Sequence, residues 1–124
     1  MIGNLLTAIL NFVRGILESI LNPTPPAAPT ANDDSYVTAR DVPLIIGTPG
    51  VLENDTDPNG LPLTAQLVTG PANGTLILNT DGSFVYTPNL GFEGTDSFTY
   101  RASNGFTVSN VATVTVTVLG PLSV

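Results

Sequence analysis

Residues 32–118 alternate apolar and polar side chains with a period of two, and this alternation limits the fold more than any other feature of the chain. Successive side chains of a strand point to opposite faces, so such a segment buries one face. Turn residues separate seven short segments that are rich in β-branched and aromatic residues: SYVTA, PLIIG, LTAQLVTG, GTLILN, SFVYTP, DSFTYRASN and TVSNVATVTVTV. Segments of this kind predict a mainly β fold, an antiparallel β-sandwich of about seven strands.

A different periodicity occupies the N-terminal residues. Apolar side chains recur there at alternating steps of four and three, the spacing of a coiled-coil seam: Ile2, Leu6, Ile9, Val13, Ile16 and Ile20. Further Leu and Phe residues widen this apolar face and leave one narrow polar stripe. The residue before a proline avoids the α region, so the helix ends at Asn22, before Pro23. The pattern predicts one amphipathic α-helix over residues 1–22.

Three roles are open to this helix. A secretory signal needs a basic start and an unbroken apolar stretch, whereas Asn11, Arg14 and Glu18 interrupt this one. A span of about 20 residues is long enough to cross a bilayer, but burying Arg14 and Glu18 there costs roughly 2.5–3.5 kcal/mol each. Self-association, or docking onto a protein partner, covers the apolar face without that cost. We therefore favour an oligomerisation or docking helix over a membrane-bound one.

A proline-rich segment separates the helix from the β-rich body. Residues 23–31, PTPPAAPTA, hold four prolines among small residues. Such a segment favours a semi-rigid polyproline II conformation. The sequence thus predicts a helix over residues 1–22, a linker over 23–31, a sandwich over 32–119 and a short tail over 120–124.

Charge and residue content exclude several functions. The chain of 124 residues has three basic residues and a net charge of −7. Nucleic acid is not an expected partner, because binding a phosphate backbone requires clustered Lys and Arg. The chain also has no Cys and no His, which excludes zinc sites, thiol nucleophiles and Ser-His-Asp chemistry. We predict a protein that is not an enzyme.

The segment DSFTYRA, residues 96–102, has the layout of the corner strand of immunoglobulin domains. That strand carries an Asp at the corner and a Tyr two residues before the disulfide Cys. Asp96 and Tyr100 hold these places, and Ala102 replaces the Cys. We expect Asp96 and Tyr100 to form a structural corner, with the phenol of Tyr100 bonded to backbone across it. Without a disulfide, apolar packing alone must hold the core.

Several longer motifs give a more specific match. They are NDD, GVLENDTDPNG, GPANGTL, DGSFVYTPN, GTDSFTYRASNG and the closing Thr/Val strand. Over about 87 residues, their order and spacing resemble one repeat of the bacterial cadherin-like, immunoglobulin-like modules of the tandem-95 or VCBS type. The resemblance implies an extracellular or cell-surface setting, no catalysis, and neighbouring repeats in a longer parent chain. The helix and the linker are not part of the family pattern.

The acidic stretch VLENDTDPNG, residues 51–60, begins like a calcium-binding loop. An EF-hand starting at Asp55 would need a closing Glu at its twelfth position, where Gln66 stands, so that interpretation fails. The resemblance implies a different site, shared between loops as in cadherins. Its candidate Ca²⁺ ligands are Asp33, Asp34, Glu53, Asp55, Asp57 and Asn59. A plain turn remains open, because Asp and Asn side chains bond readily to nearby backbone. Calcium is the one cofactor we expect.

These observations favour a non-catalytic structural or display module of a bacterial surface or secreted protein. In this hypothesis an immunoglobulin-like spacer or adhesion domain is carried on a self-associating helix. One alternative is a calcium-dependent adhesin domain that binds a glycan or protein ligand. The other is a surface protein tethered to a membrane by its N-terminal helix.

Overall fold

The structure is a computed structural model that describes residues 2–122. Met1, Ser123, Val124 and the side chain of Ile2 lie outside the described part of the chain. One helix precedes seven strands, with a short 3₁₀ helix at Gly50–Leu52 between β2 and β3. The elements are α1 (Ile2–Leu21), β1 (Asp34–Ala39), β2 (Leu44–Ile46), β3 (Thr64–Thr69), β4 (Gly74–Leu78), β5 (Phe84–Pro88), β6 (Gly94–Ser103) and β7 (Ala112–Leu119).

The strands form two sheets, and the predicted seven-stranded sandwich is confirmed. One sheet has the order β1-β7-β6-β3 and the other β2-β5-β4. One pairing departs from the antiparallel prediction, because β1 runs parallel to β7. These two strands come from opposite ends of the body, so no hairpin fixes their relative direction. The other pairings are antiparallel.

The core lies between the two sheets and contains no disulfide, because the chain has no Cys. Alternation along β7 is confirmed, since Ala112, Val114, Val116 and Val118 are buried. Phe84 packs edge-on against Phe98 with ring centroids 5.4 Å apart, an arrangement that aromatic rings favour. Apolar packing therefore holds the two sheets together.

The segment predicted as the last strand is shorter than expected. Strand β7 starts at Ala112, although the sequence pattern begins at Thr107. Asn110 interrupts the strand, because its side chain bonds to the backbone of Ala31 through Oδ1 (3.0 Å) and Nδ2 (2.9 Å). The Asn110 side chain thus satisfies the backbone N–H and carbonyl of Ala31, as a paired strand would.

The end of the proline-rich segment belongs structurally to the body. Thr30 and Thr56 exchange two backbone hydrogen bonds of 2.8 and 3.0 Å. Ala31 is buried, and the side chain of Asn104 donates to the carbonyl of Ala27. The structure thus ties residues 27–31 of the predicted linker to the sandwich, which leaves a shorter spacer after α1.

Candidate functional site

The hydroxyl of Tyr100 lies at the centre of a group of oxygen atoms. Tyr100 is fully buried on β6. Its hydroxyl lies 2.7 Å from the carbonyl oxygen of Val51 and 2.7 Å from Oδ2 of Asp55. The carbonyl of Asn32 and Oδ2 of Asp34 lie slightly farther away, at 3.3 and 3.4 Å. A phenol has one hydrogen to donate, so these four acceptors share a single donor.

This arrangement disfavours negative charge on the two carboxylates. Burial, then the charge of Asp55, raises the pKa of Asp34 to about 6. Burial also raises the pKa of Asp55, against hydrogen bonds from Asn32 and Tyr100 that lower it. The pKa of Tyr100 is raised by burial and by its bond to Asp55. Asp34 and Asp55 therefore repel each other when both are ionised. Ionising the second carboxyl group next to the first is unfavourable in this partly buried position.

Backbone and amide groups hold the N-terminal segment of the body against the acidic loop. The backbone N–H of Asn32 donates to Oδ1 of Asp55 (2.9 Å), and its side chain donates to the carbonyl of Asn54 (2.6 Å). Asn54 in turn donates to the carbonyl of Asp33 (3.1 Å). We call residues 32–34, residues 51–57 and Tyr100 the acidic end of the sandwich.

The structure brings some of the predicted calcium ligands together and separates others. Asp34 and Asp55 meet at Tyr100. Burial, then the charges of Asp34, Glu53 and Asp55, raises the pKa of Tyr36, so Glu53 lies near the same two carboxylates. Asp33 has a different role, because its Oδ1 accepts the backbone N–H of Thr113 at the start of β7. Within residues 2–122, no group of three or more acidic side chains is close enough to hold a metal ion.

Asp57 and Asn59 form a turn. Oδ2 of Asp57 accepts the backbone N–H groups of Asn59 (2.8 Å) and Leu61 (3.0 Å), and its Oδ1 accepts the side chain of Asn104 (3.0 Å). Led by the bond from Asn104, these interactions lower the pKa of Asp57. Gly60 adopts a positive φ of 67° at the end of the turn. This half of the acidic stretch thus has the backbone bonding of an ordinary Asx turn.

The backbone bond predicted for Tyr100 is present, because its hydroxyl donates to the carbonyl of Val51, whereas Asp96 acts elsewhere along β6. Asp96 is buried and accepts the backbone N–H groups of Ala72 and Asn73 together with the hydroxyl of Tyr86. It thereby fixes the β3–β4 loop. The two side chains share a face but are four residues apart, which is about 13 Å along a strand, so they bond to different loops.

Two amide side chains complete the acidic end, and the sequence motifs predict neither of them. Asn104 joins the linker to Asp57, and Asn110 clamps Ala31. Asn104 precedes a glycine and resembles a simple turn residue, so its partners 47 and 77 positions away leave no local signal. For Asn110, the available signal is a polar residue inside an otherwise β-branched segment.

The second candidate surface is the helix α1. Every described side chain of residues 3–21 is exposed, including the large apolar ones. The stretch Gly3–Leu21 is 19 residues long with a mean hydropathy of 1.4, so by length and composition alone it is able to cross a membrane. The sandwich buries its own apolar face, and the helix leaves its apolar face without a partner among the described residues.

Comparison with known proteins agrees with this architecture. The sequence profile of the bacterial cadherin-like domain matches residues 26–120 and confirms the resemblance found in the sequence. Integrin beta-like proteins E and C of Dictyostelium discoideum are 33% and 34% identical to the chain over 90 residues. Each match covers 63% of this chain and 5% of the relative, so the chain spans about one twentieth of these curated relatives.

One solved structure shares the fold. A nucleoside hydrolase-related hypothetical protein from Saccharophagus degradans superposes with a TM-score of 0.51 at 10% sequence identity. The match covers 75% of this chain and 26% of that protein. At this identity the likeness concerns the fold alone.

Proposed function

This chain belongs to the bacterial cadherin-like domain family, and from that premise we propose that it is a non-catalytic structural and display module of a surface or secreted protein. In this proposal the sandwich acts as a spacer or adhesion domain. The helix α1 binds other copies of the chain, and the proline-rich spacer carries the sandwich away from them.

The difference in burial between the sandwich and the helix is the main support for assigning them separate roles. The sandwich buries its own core, whereas every described side chain of α1 is exposed. The helix has 20 residues, and its side chains at residues 3–21 are all exposed, so most of its stability is expected to come from packing against another apolar surface. Association between helices also leaves Arg14 and Glu18 in water, which insertion into a bilayer does not.

Light scattering coupled to size-exclusion chromatography tests the proposal on the full chain. We expect a mass well above the 12.8 kDa of one chain. The variant Ile9→Asp with Ile16→Asp places charges in the apolar face and is expected to be monomeric. The control Asn4→Asp with Asn11→Asp adds the same charges on the polar stripe and is expected to associate like the wild type. The melting temperature of the sandwich should be equal in all three.

A monomeric wild-type chain would contradict self-association. Flotation with phosphatidylcholine vesicles then distinguishes the membrane-tethered alternative from a helix that docks on another protein.

The acidic end favours a second candidate, a calcium-dependent adhesin domain with a glycan or protein ligand. Bacterial cadherin-like domains commonly bind calcium. Asp34, Asp55 and the carbonyls of Asn32 and Val51 provide oxygens of the type that Ca²⁺ prefers. These groups fit the ion chemically but fall short of six to eight ligands. The remaining oxygens would come from water or from a neighbouring repeat.

Thermal unfolding followed by circular dichroism, in chelator and then across calcium concentrations, tests this candidate. A specific site adds about 2.7 kcal/mol to the free energy of unfolding at a hundredfold excess over Kd. We expect the gain to be lost in Asp34→Asn and retained in the control Asp81→Asn, which lies in the β4–β5 turn. Equal stability with and without calcium in the wild type would remove this candidate for the single domain.

A further inference from the structure

The apolar face of α1 has a defined coiled-coil register. From Leu6 onward its exposed side chains advance by three, four, three and four residues, through Ile9, Val13, Ile16 and Ile20. In a heptad labelled a to g, this spacing assigns Leu6, Val13 and Ile20 to position a, and Ile9 and Ile16 to position d.

The residue types at these positions disfavour a pair of helices. Two-stranded coiled coils prefer a β-branched residue at a and Leu at d. Here the a positions hold Leu6, Val13 and Ile20, and both described d positions hold Ile where a two-stranded coiled coil would prefer Leu. Leu or Ile at a combined with Ile at d shifts the preference to three or four strands.

The flanking positions make the apolar face too wide for one neighbour. In a two-stranded coiled coil, positions e and g border the seam and commonly carry Glu or Lys. In α1 position e holds Leu10 and Leu17, and position g holds Leu5 and Phe12, all of them exposed, followed by the polar Ser19 in the last turn. At about 100° per residue these side chains extend the apolar arc to roughly 160°. Two neighbouring helices are needed to cover such an arc.

The polar stripe lies opposite this arc. Position f holds Asn4, Asn11 and Glu18, and position b holds Thr7 and Arg14, with the exposed Leu21 at the end of the helix as an exception. In a four-membered bundle each helix has two neighbours in directions about 90° apart. Each contact then covers about half of the apolar arc, and the polar stripe faces water.

From this register we propose that α1 joins four copies of the chain in a four-helix bundle. The inference rests on the self-association proposed above and adds the number of copies to it. The occupant of the apolar face is thus the same face of two further copies.

Sedimentation equilibrium of the full chain tests the number of copies. The expected mass is about 51 kDa, four times the 12.8 kDa of one chain. A mass of two or three chains would overturn the four-copy bundle and leave self-association standing. A monomer would overturn both.

A pair of variants tests the reason for four copies. Leu10→Glu with Leu17→Lys narrows the apolar arc at position e and leaves the net charge unchanged. We expect its mass to fall below that of four chains. The control Asn4→Glu with Asn11→Lys places the same two charges at position f and is expected to stay at four chains. An e-position variant that keeps the four-chain mass, with its helix content confirmed by circular dichroism, would overturn the inference.

Discussion

The sandwich and the helix both carry apolar residues at a regular spacing, yet only the sandwich buries them within the chain. Strand β7 places four apolar side chains against the facing sheet. Helix α1 exposes a larger number, and the proline-rich spacer separates them from that core. Periodicity therefore identifies which face of an element is to be buried, and the connection between elements decides whether the partner lies in the same chain.

Truncating one phenylalanine in the core and one on the helix should give the largest difference in stability between the two regions. Phe98 is 1% exposed in the core, and Phe12 is 70% exposed on the helix. Phe98→Ala should lower the free energy of unfolding of the sandwich by about 3–5 kcal/mol, because it leaves a cavity. Phe12→Ala should leave it unchanged. Urea denaturation followed at 218 nm measures both, and equal losses would show that the helix packs on the body.

The backbone of Gly82 in the β4–β5 turn lies close to the backbone of Pro49. Disturbing this contact should have the next largest effect. Gly82 has a φ of +87°, and a Cβ there would lie 1.9 Å from the carbonyl oxygen of Pro49. Gly82→Ala should therefore cost about 3 kcal/mol or more. The control Gly60→Ala has a similar positive φ but open space around it, so it should cost about 1 kcal/mol. Similar melting temperatures for the two variants would contradict the close approach.

Asp55 and Asp96, which bond to tyrosine hydroxyls near opposite ends of the sandwich, accept different numbers of hydrogen bonds. Tyr100→Phe leaves Val51 and Asp55 without the hydroxyl they share, at a cost of about 2 kcal/mol. Tyr86→Phe should cost about 1 kcal/mol, because Asp96 keeps three backbone donors. Chemical denaturation measures the free energy of unfolding of both variants. A larger loss for Tyr86→Phe than for Tyr100→Phe would contradict this expectation.

The smallest expected effect is a loss of stability of the sandwich as the pH rises. The pKa of Asp34 is raised to about 6 in the folded protein from an ordinary 3.8. Folding therefore favours the protonated carboxyl, so its contribution is full below about pH 4 and is lost as the pH rises through 6. Because the side chain is partly exposed, we expect a loss of about 1 kcal/mol between about pH 5 and 7.5. Thermal melting of Asp34→Asn should show a smaller pH dependence than that of the wild type, and an unchanged pH dependence would contradict the assignment.

The fold followed from the sequence because its signals are local. The alternation of β7 and the turn residues between strands depend on neighbours a few positions away, which a sequence pattern records. The acidic end depends on residues far apart, such as Tyr100 with Val51 and Asn110 with Ala31. The sequence predicts Asp34 and Asp55 only as members of a set of candidates. The parallel pairing of β1 with β7 places Asp34, and the long-range backbone bonds between Thr30 and Thr56 place Asp55.

That parallel pairing also determines how the sandwich responds to tension. The chain enters β1 at Asp34 and leaves β7 at Leu119, and the two strands lie side by side through six paired positions. A pull on the two ends of the body draws these strands in opposite directions along their length. The hydrogen bonds between them are then loaded together in shear and do not open one after another, as they would in a hairpin pulled apart from its open end. The six paired positions of the first and last strands thus bear a load on the module together.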